Sequence, residues 1–184
     1  MKLYHGTTLS SAMNIMNFGV DLGCSQPMLD FGKGFYTTPN KEYAIKTAKN
    51  KTFKFNRKHN MNEIPAVIEF VYTKHDDMNI KVFNQHDDSW MQFVLANRMD
   101  LNTIGKYNIT EHNLDCKYDI VDGEIADGSI TQISYRIRNN EITPSDIDIK
   151  ELLQKDGFAY GYQVSFHTQK SLDCIEYKNC DIIR

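Results

Sequence analysis

The chain has 184 residues, of which 41% are hydrophobic and 24% charged, and its formal net charge is −3. This composition excludes a disordered chain, and the length suits one domain over residues 1–184. The small net charge argues against tight electrostatic binding to nucleic acid or to an anionic membrane. Four cysteines without a C-x-x-C pair suggest neither a zinc site nor a redox motif. A polar start and the lack of a long apolar run predict a cytoplasmic protein without a membrane segment.

The first segments predict a strand, a helix and a glycine-rich turn. "KLYHG" alternates as a strand does, and "LSSAMNIMNFG" has apolar residues at helical spacing, with Ser10 or Ser11 as N-cap and Gly19 as the stop. "DFGKGFYTT", from Asp30, then places two glycines around a lysine. Glycines at this density indicate a sharp turn or a close approach to the backbone. An extended segment at Gly34–Thr37 is predicted to follow.

The next segments predict a helix and two strands. A helix is expected near Asn40–Lys49, with Asn40 as its cap. The basic stretch Lys49–Asn62 is predicted to be an exposed loop or a helix tail, with a solvated surface favoured over a binding patch. "AVIEFVYTK", from Ala66, is the strongest strand pattern in the chain, and "IKVFN", around Val82, predicts a shorter strand.

The second half mixes helices and strands without regular alternation. Asp88–Met99 and "SITQISYRIR" have helical spacing, and "SDIDIKELLQ" predicts a helix that opens at Ser145. "YDIVDGEIAD", Tyr160–Thr168 and "CIEYKNCDIIR" are predicted strands. This order favours an α+β fold over a regular parallel α/β fold.

Three short motifs carry the strongest functional signal because of their order. "LYHGT" near the N-terminus, "GKGFYTT" followed by the helix with "NKEYAIKTA", and "YQVSFHT" near the C-terminus resemble the three motifs of the ADP-ribosyltransferase superfamily. The resemblance is to the branch whose site is marked by a His, a Tyr and a third polar residue on three core strands. The whole chain also resembles DUF3990, a bacterial family of toxin-like domains grouped with these transferases and often encoded beside a small partner.

The resemblance implies a fold and a set of site residues. It implies a split antiparallel β-sheet core flanked by helices, with NAD as substrate and no metal. The implied catalytic residues are His5, Tyr36 and Gln163. The implied NAD-binding residues are His5, Gly6, Thr7, Lys33, Gly34, Tyr36 and Tyr43. Gly6 would hold the nicotinamide carboxamide through its backbone, Tyr36 would stack on the ring, and His5 would bond a ribose hydroxyl.

The third position departs from the common pattern, because most active relatives have Glu where this chain has Gln163. An amide can hydrogen-bond a ribose hydroxyl but cannot act as a general base. Three interpretations stay open: an acceptor that needs little deprotonation, a base supplied by His167 or Asp127, or a site that has lost catalysis. Tyr43 also lies earlier in its helix than the second aromatic residue of many relatives.

The sequence therefore predicts an NAD-dependent mono-ADP-ribosyltransferase, a toxin-like intracellular effector restrained by a small antitoxin protein. The alternatives are an NAD glycohydrolase and a catalytically inactive binding module with the same fold. The acceptor of ADP-ribose cannot be read from the sequence, so protein, nucleic acid and small molecules all stay open.

Overall fold

A computed structural model of the chain describes residues 1–126, 128–148 and 161–184. Seven β-strands lie within these ranges: β1 (Lys2–Thr8), β2 (Phe35–Thr37), β3 (Pro65–Tyr72), β4 (Ile80–Val82), β5 (Ile120–Glu124), β6 (Tyr162–Phe166) and β7 (Ile175–Ile182). The same ranges contain six α-helices: α1 (Leu9–Phe18), α2 (Lys41–His59), α3 (Asp88–Asn97), α4 (Leu101–Lys106), α5 (Gly128–Arg138) and α6 (Gln169–Leu172).

The strands form two sheets, which confirms the predicted α+β class. The first sheet has the order β1-β3-β7 and is antiparallel throughout. The second has the order β2-β6-β5-β4, and its β4–β5 pair is parallel. The expectation of purely antiparallel pairing is therefore wrong for this pair. Helices α3 and α4 lie between β4 and β5 in the chain, and such a long connection allows two neighbouring strands to run in the same direction.

The two sheets meet at one isolated bridge between β1 and the end of β2. Tyr4 and Thr38 exchange both backbone hydrogen bonds, at 2.8 and 2.9 Å. Each strand otherwise pairs within its own sheet, β1 with β3 and β2 with β6. Beyond the bridge β1 and β2 are therefore not paired with each other, and the two sheets separate. We call the gap between β1 and β2 beyond the Tyr4–Thr38 bridge the split.

Three apolar clusters fix the two sheets and their helices. Leu3 of the first sheet packs with Val164 and Phe166 of the second. The opposite face of the second sheet packs on α3 and α5, around Phe31 and Trp90. Ala44 and Ala48 of α2 cover the outer face of β1 and β3. Helix α2 therefore lies along the same strand that forms one edge of the split.

Most predicted elements are present, and the differences occur at element ends. Thr8, and not Ser10 or Ser11, caps α1, because its Oγ accepts from the amide of Ser11. Gly19 ends that helix with φ +82°, as predicted.

Helix α2 and the second half of the chain show further differences. Asn40 caps α2 as expected, but α2 continues to His59, so the helix-tail interpretation of the basic stretch is correct over most of its length. The α4 helix was not predicted. The helix expected from Ser145 begins as a 3₁₀ turn at Pro144–Asp146, and its remainder lies outside the described residues.

Candidate functional site

Neighbouring parts of the fold pack directly against the glycine loop, residues Gly32–Gly34, which precedes β2. Gly32 has φ +90°, and a Cβ there would lie 3.0 Å from the carbonyl oxygen of Asn113. At Gly34 a Cβ would lie 2.7 Å from Nδ1 of His167. Both positions therefore require glycine because the chain packs against them. The close approach that the sequence indicated is made, at these two residues, by neighbouring parts of the fold.

His167 fixes this loop and has partners at both ring nitrogens. Its Nδ1 lies 2.7 Å from the carbonyl oxygen of Lys33 and must donate to it, while Nε2 lies 2.8 Å from Oγ of Ser165. Burial lowers the pKa of His167 to about 4, against the opposing effect of the Lys33 carbonyl. A neutral ring with both nitrogens engaged suits a structural clamp better than the base that the sequence suggested. Asp127, the other suggested base, lies outside the described residues.

The Tyr36 side chain makes two hydrogen bonds to the backbone at the start of the glycine loop. Its hydroxyl donates to the carbonyl oxygen of Gly32 at 2.6 Å and accepts from the amide of Phe31 at 3.0 Å. Burial, and then the charge of Asp30, raise the pKa of Tyr36 well above its usual value. The ring contacts His167 edge-on at 6.2 Å between centroids and stays partly accessible. Tyr36 is thus a neutral phenol whose ring orientation is fixed by its own loop.

His5 bridges the split. Its Nδ1 lies 2.7 Å from the carbonyl oxygen of Tyr36, and because a carbonyl only accepts, Nδ1 carries the proton. Its ring stacks on Phe35 at 4.5 Å between centroids. Burial first, and the positive charge of Lys51 second, lower the pKa of His5 to about 3. The imidazole is therefore neutral at pH 7, and its Nε2 has no partner among the described residues and can accept a hydrogen bond.

Gly6 has both a packing role and an open backbone. A Cβ at Gly6 would lie 2.1 Å from the carbonyl oxygen of Ala44, so only glycine allows α2 to lie this close to β1. The backbone groups of alternate residues in a strand point to the same edge, so Gly6 points its N–H and C=O where Tyr4 meets Thr38. No hydrogen bond to these two groups occurs within the described residues. One donor and one acceptor therefore face the split side by side, as a carboxamide requires.

The other side chains predicted to bind NAD, those of Thr7, Lys33 and Tyr43, differ in how deeply they are buried. The Thr7 side chain is buried on the same face of β1 as His5. The Lys33 side chain is exposed at the tip of the glycine loop. Tyr43, in the first turn of α2, is half-buried, and its ring lies near the start of β6, about 3.9 Å from where a Cβ of Gly161 would be. Burial, and then the charge of Asp30, raise the pKa of Tyr43.

Gln163 is buried, and its side chain belongs to a charged network. Its Nε2 donates to Oδ2 of Asp30 at 2.8 Å and lies 3.4 Å from the carbonyl oxygen of Glu124. Asp30 also pairs with Arg98, whose Nε and Nη2 lie 3.0 and 2.5 Å from Oδ1. Asp30 was not predicted as a site residue. Arg98, near the end of the predicted helix Asp88–Met99, was a candidate for a polar network or for acceptor binding from its helical spacing, but helix capping or surface pairing was favoured for it.

The structure places several of the predicted residues around one region. His5 and Tyr36 are joined by a hydrogen bond across the split. Tyr36 pairs with Ser165 on β6, so Gln163, two residues away, projects from the same face of the sheet. The charge of Asp30 acts on both Tyr36 and Tyr43 and its carboxylate bonds Gln163. Lys33 and Gly34 are connected to this region through the loop, and the assignment of roles to all these residues stays a prediction.

Two findings concern other kinds of site. Within the described ranges, no group of three or more His, Cys, Asp or Glu side chains is arranged to hold a metal ion. No helix in the described part of the chain is both long and apolar enough to cross a membrane.

The fold is an α+β fold with two sheets. The sheets separate between β1, which carries His5 and Gly6, and β2, which carries Tyr36 with its hydroxyl group held by two hydrogen bonds. The chain belongs to the family described as "Protein of unknown function (DUF3990)", whose model matches residues 1–177. Comparison with curated proteins and with solved structures finds no match.

Proposed function

We propose that this protein is an NAD-dependent mono-ADP-ribosyltransferase whose site is the split between β1 and β2. The observation that carries the proposal is that two consecutive residues of β1 offer open hydrogen-bonding groups at the split. Gly6 offers its backbone N–H and C=O, and the neutral ring of His5 offers Nε2 as an acceptor. A carboxamide offers one N–H₂ donor and one carbonyl acceptor, so it matches the Gly6 backbone. A ribose hydroxyl can donate to His5 Nε2.

The aromatic residues fit the rest of nicotinamide. The nicotinamide ring of NAD is cationic, and a cation is attracted to the face of an aromatic ring. Tyr36 offers a ring that its hydroxyl bonds hold in place. Tyr43 approaches the same region from α2. Both phenols are neutral at physiological pH, and burial raises their pKa values further.

The chemical step is substitution at C1′ of the ribose. The bond between C1′ and the nicotinamide nitrogen breaks, and its electron pair neutralises the pyridinium nitrogen as nicotinamide leaves. A lone pair of the acceptor then forms the new bond to C1′, and an acceptor atom that carries a proton releases it to solvent. The amide oxygen of Gln163 can accept from a ribose hydroxyl while positive charge develops on the sugar. Binding in a fixed geometry and stabilisation of the developing charge both contribute to the acceleration in such a site.

The role as a cytoplasmic toxin-like effector with a small neutralising partner is part of the proposal and comes from the sequence resemblance alone. The NAD glycohydrolase alternative uses the same site with water as the acceptor. The two activities differ in their products, since hydrolysis releases free ADP-ribose and labels no macromolecule.

Incubation of the purified protein with NAD and a cell lysate tests the proposal. We expect nicotinamide release that Tyr36→Ala abolishes, together with ADP-ribose on an acceptor that mass spectrometry can identify. Tyr135→Ala is the matched control, because Tyr135 is exposed on α5. Release of free ADP-ribose without a labelled acceptor would favour the glycohydrolase. No nicotinamide release, with Tyr36→Ala equal to wild type, would refute both activities and leave the binding module.

A further inference from the structure

We propose that Asp30, held by Arg98, is a positioning residue that orients the amide of Gln163, and that Asp30 is the reason why this site contains glutamine where glutamate is common. This inference rests on the proposed function for its catalytic consequence. Its structural part concerns four chain segments that meet at one buried carboxylate.

The Asp30 carboxylate is fully occupied. Arg98 donates twice to Oδ1, and Oδ2 accepts from the amide of Ala126 at 3.0 Å and from Nε2 of Gln163 at 2.8 Å. Asp30 is only 8% exposed and Arg98 only 9%. Nη1 of Arg98 also donates to Oγ1 of Thr131 at 2.6 Å, which ties the guanidinium to α5. The network therefore has little freedom to rotate.

This arrangement decides which end of the Gln163 amide faces the carboxylate. A carboxylate paired with a guanidinium group only accepts hydrogen bonds, so the NH₂ group of Gln163 must face Asp30. The second amide proton points toward the carbonyl oxygen of Glu124. Oε1 is thus directed away from both acceptors, and no described residue donates to it. The network turns Gln163 into a fixed hydrogen-bond acceptor.

The same geometry disfavours glutamate at this position. In Gln163→Glu, a carboxylate oxygen would stand where Nε2 now lies, 2.8 Å from Oδ2 of Asp30. Two carboxylates at such a distance cannot both be charged, so one would take up a proton and its pKa would rise. Glutamate here would therefore keep its proton to a higher pH than an isolated glutamate unless Asp30 changed too. The pair Asp30 and Gln163 is compatible. The double substitution Asp30→Asn/Gln163→Glu removes the clash of two carboxylates, but the amide at position 30 cannot both accept from Ala126 and donate to position 163 through the atom that replaces Oδ2.

Nuclear magnetic resonance of the protein without NAD tests the clamp by itself. The side-chain NH₂ signals of Gln163, assigned by their loss in Gln163→Ala, should exchange slowly with solvent in the wild type. Asp30→Ala, which removes the acceptor, should speed this exchange and shift both signals, whereas Asp76→Ala, at an exposed aspartate, should leave them unchanged. Unchanged Gln163 signals in Asp30→Ala would overturn the proposal. If Asp30→Ala does not fold, Arg98→Lys, which removes the two-fold donor, is expected to cause a change in the same direction and decides the test.

Nicotinamide release tests the catalytic consequence. Asp30→Ala should lower kcat by on the order of 10- to 100-fold with KM changed much less, because a misplaced acceptor acts mainly on the transition state. Gln163→Glu should add an ionisation to the pH profile at a pH above the ordinary range of a glutamate. In the double variant Asp30→Asn/Gln163→Glu that ionisation should move down toward the ordinary range of a glutamate.

The two proposals fail in distinguishable ways. A wild-type protein that releases no nicotinamide refutes the proposed function and leaves the magnetic-resonance result readable. Gln163→Glu and the double variant with the same pH profile would overturn the positioning role.

Discussion

The two neutral histidines of the site region predict a loss of stability in mild acid. The pKa values of His5 and His167 fall from a usual value of 6.5 to about 3 and about 4 in the folded protein. The unfolded chain therefore binds a proton at each histidine below pH 6.5, while the folded chain does not until the pH is far lower. Stability from these groups is complete above pH 6.5 and falls as the pH drops from 6.5 toward 3.

The magnitude follows from the pKa difference. Each group costs at most about 1.4 kcal/mol per pH unit between its unfolded and folded pKa values. Between pH 7 and pH 5 this amounts to about 2 kcal/mol for each histidine and about 4 kcal/mol for both. A domain with a typical stability of roughly 5–15 kcal/mol would lose a substantial part of it.

Urea unfolding at pH 7 and pH 5 measures this effect, and a histidine variant separates it from other acid-sensitive groups. His167→Gln removes one titrating ring, so its own loss between the two pH values should be smaller than that of the wild type by about 2 kcal/mol. His5→Gln should behave similarly. A variant with the same loss as the wild type would show that the histidine it lacks is not held neutral. For His5, Nε2 would then carry a proton and could not accept a hydrogen bond.

Two further substitutions test the packing of the site. Gly6→Ala should destabilise the protein by roughly 3 kcal/mol, because its Cβ would lie 2.1 Å from the carbonyl oxygen of Ala44. Gly105, in α4, is the control, since a Cβ there would meet no atom within 4 Å. In the same denaturation assay, Gly105→Ala should leave the free energy of unfolding unchanged or raise it by up to about 1 kcal/mol. Equal effects of the two changes would contradict the close helix contact. Tyr36→Phe should cost about 1–3 kcal/mol, since the hydroxyl bonds to the glycine loop are lost. NAD affinity by calorimetry should fall less than in Tyr36→Ala, because the stacking ring remains although the loop is loosened; an equal loss in the two variants would assign the binding role to the hydroxyl.

The sequence predicted elements whose signals are local. The α2 cap at Asn40 and the α1 stop at Gly19 each depend on a few neighbouring residues, and both are present. The cap of α1 was misassigned to Ser10 or Ser11 because Thr8 still belongs to β1, so the helix begins directly where the strand ends. Several hydroxyl residues close together offer equivalent caps, and the sheet pairing of Thr8 decides between them.

The candidate site was predictable only where it follows motifs. His5, Tyr36 and Gln163 lie in short patterns, and the structure adds which atoms of each remain open. Asp30 and Arg98 are separated by 68 positions, and their pairing depends on how α3 packs beside the glycine loop. No local pattern contains that information. The helical period predicted which residues of α3 are apolar and made Arg98 a candidate for a polar network, but it did not identify Asp30 as the partner.

The position of Asp30 also changes how the "DFGKGFYTT" segment is understood. Asp30, its first residue, orients Gln163, which lies much further along the chain. Tyr36, in the same segment, donates a hydrogen bond to the carbonyl oxygen of Gly32. One segment therefore supplies both the proposed stacking ring and the group that orients the proposed ribose acceptor. A displacement of this loop would disturb both contacts at once, so variants that loosen it should lose ground-state binding and transition-state stabilisation together. A variant at Gln163 alone should lose mainly the second.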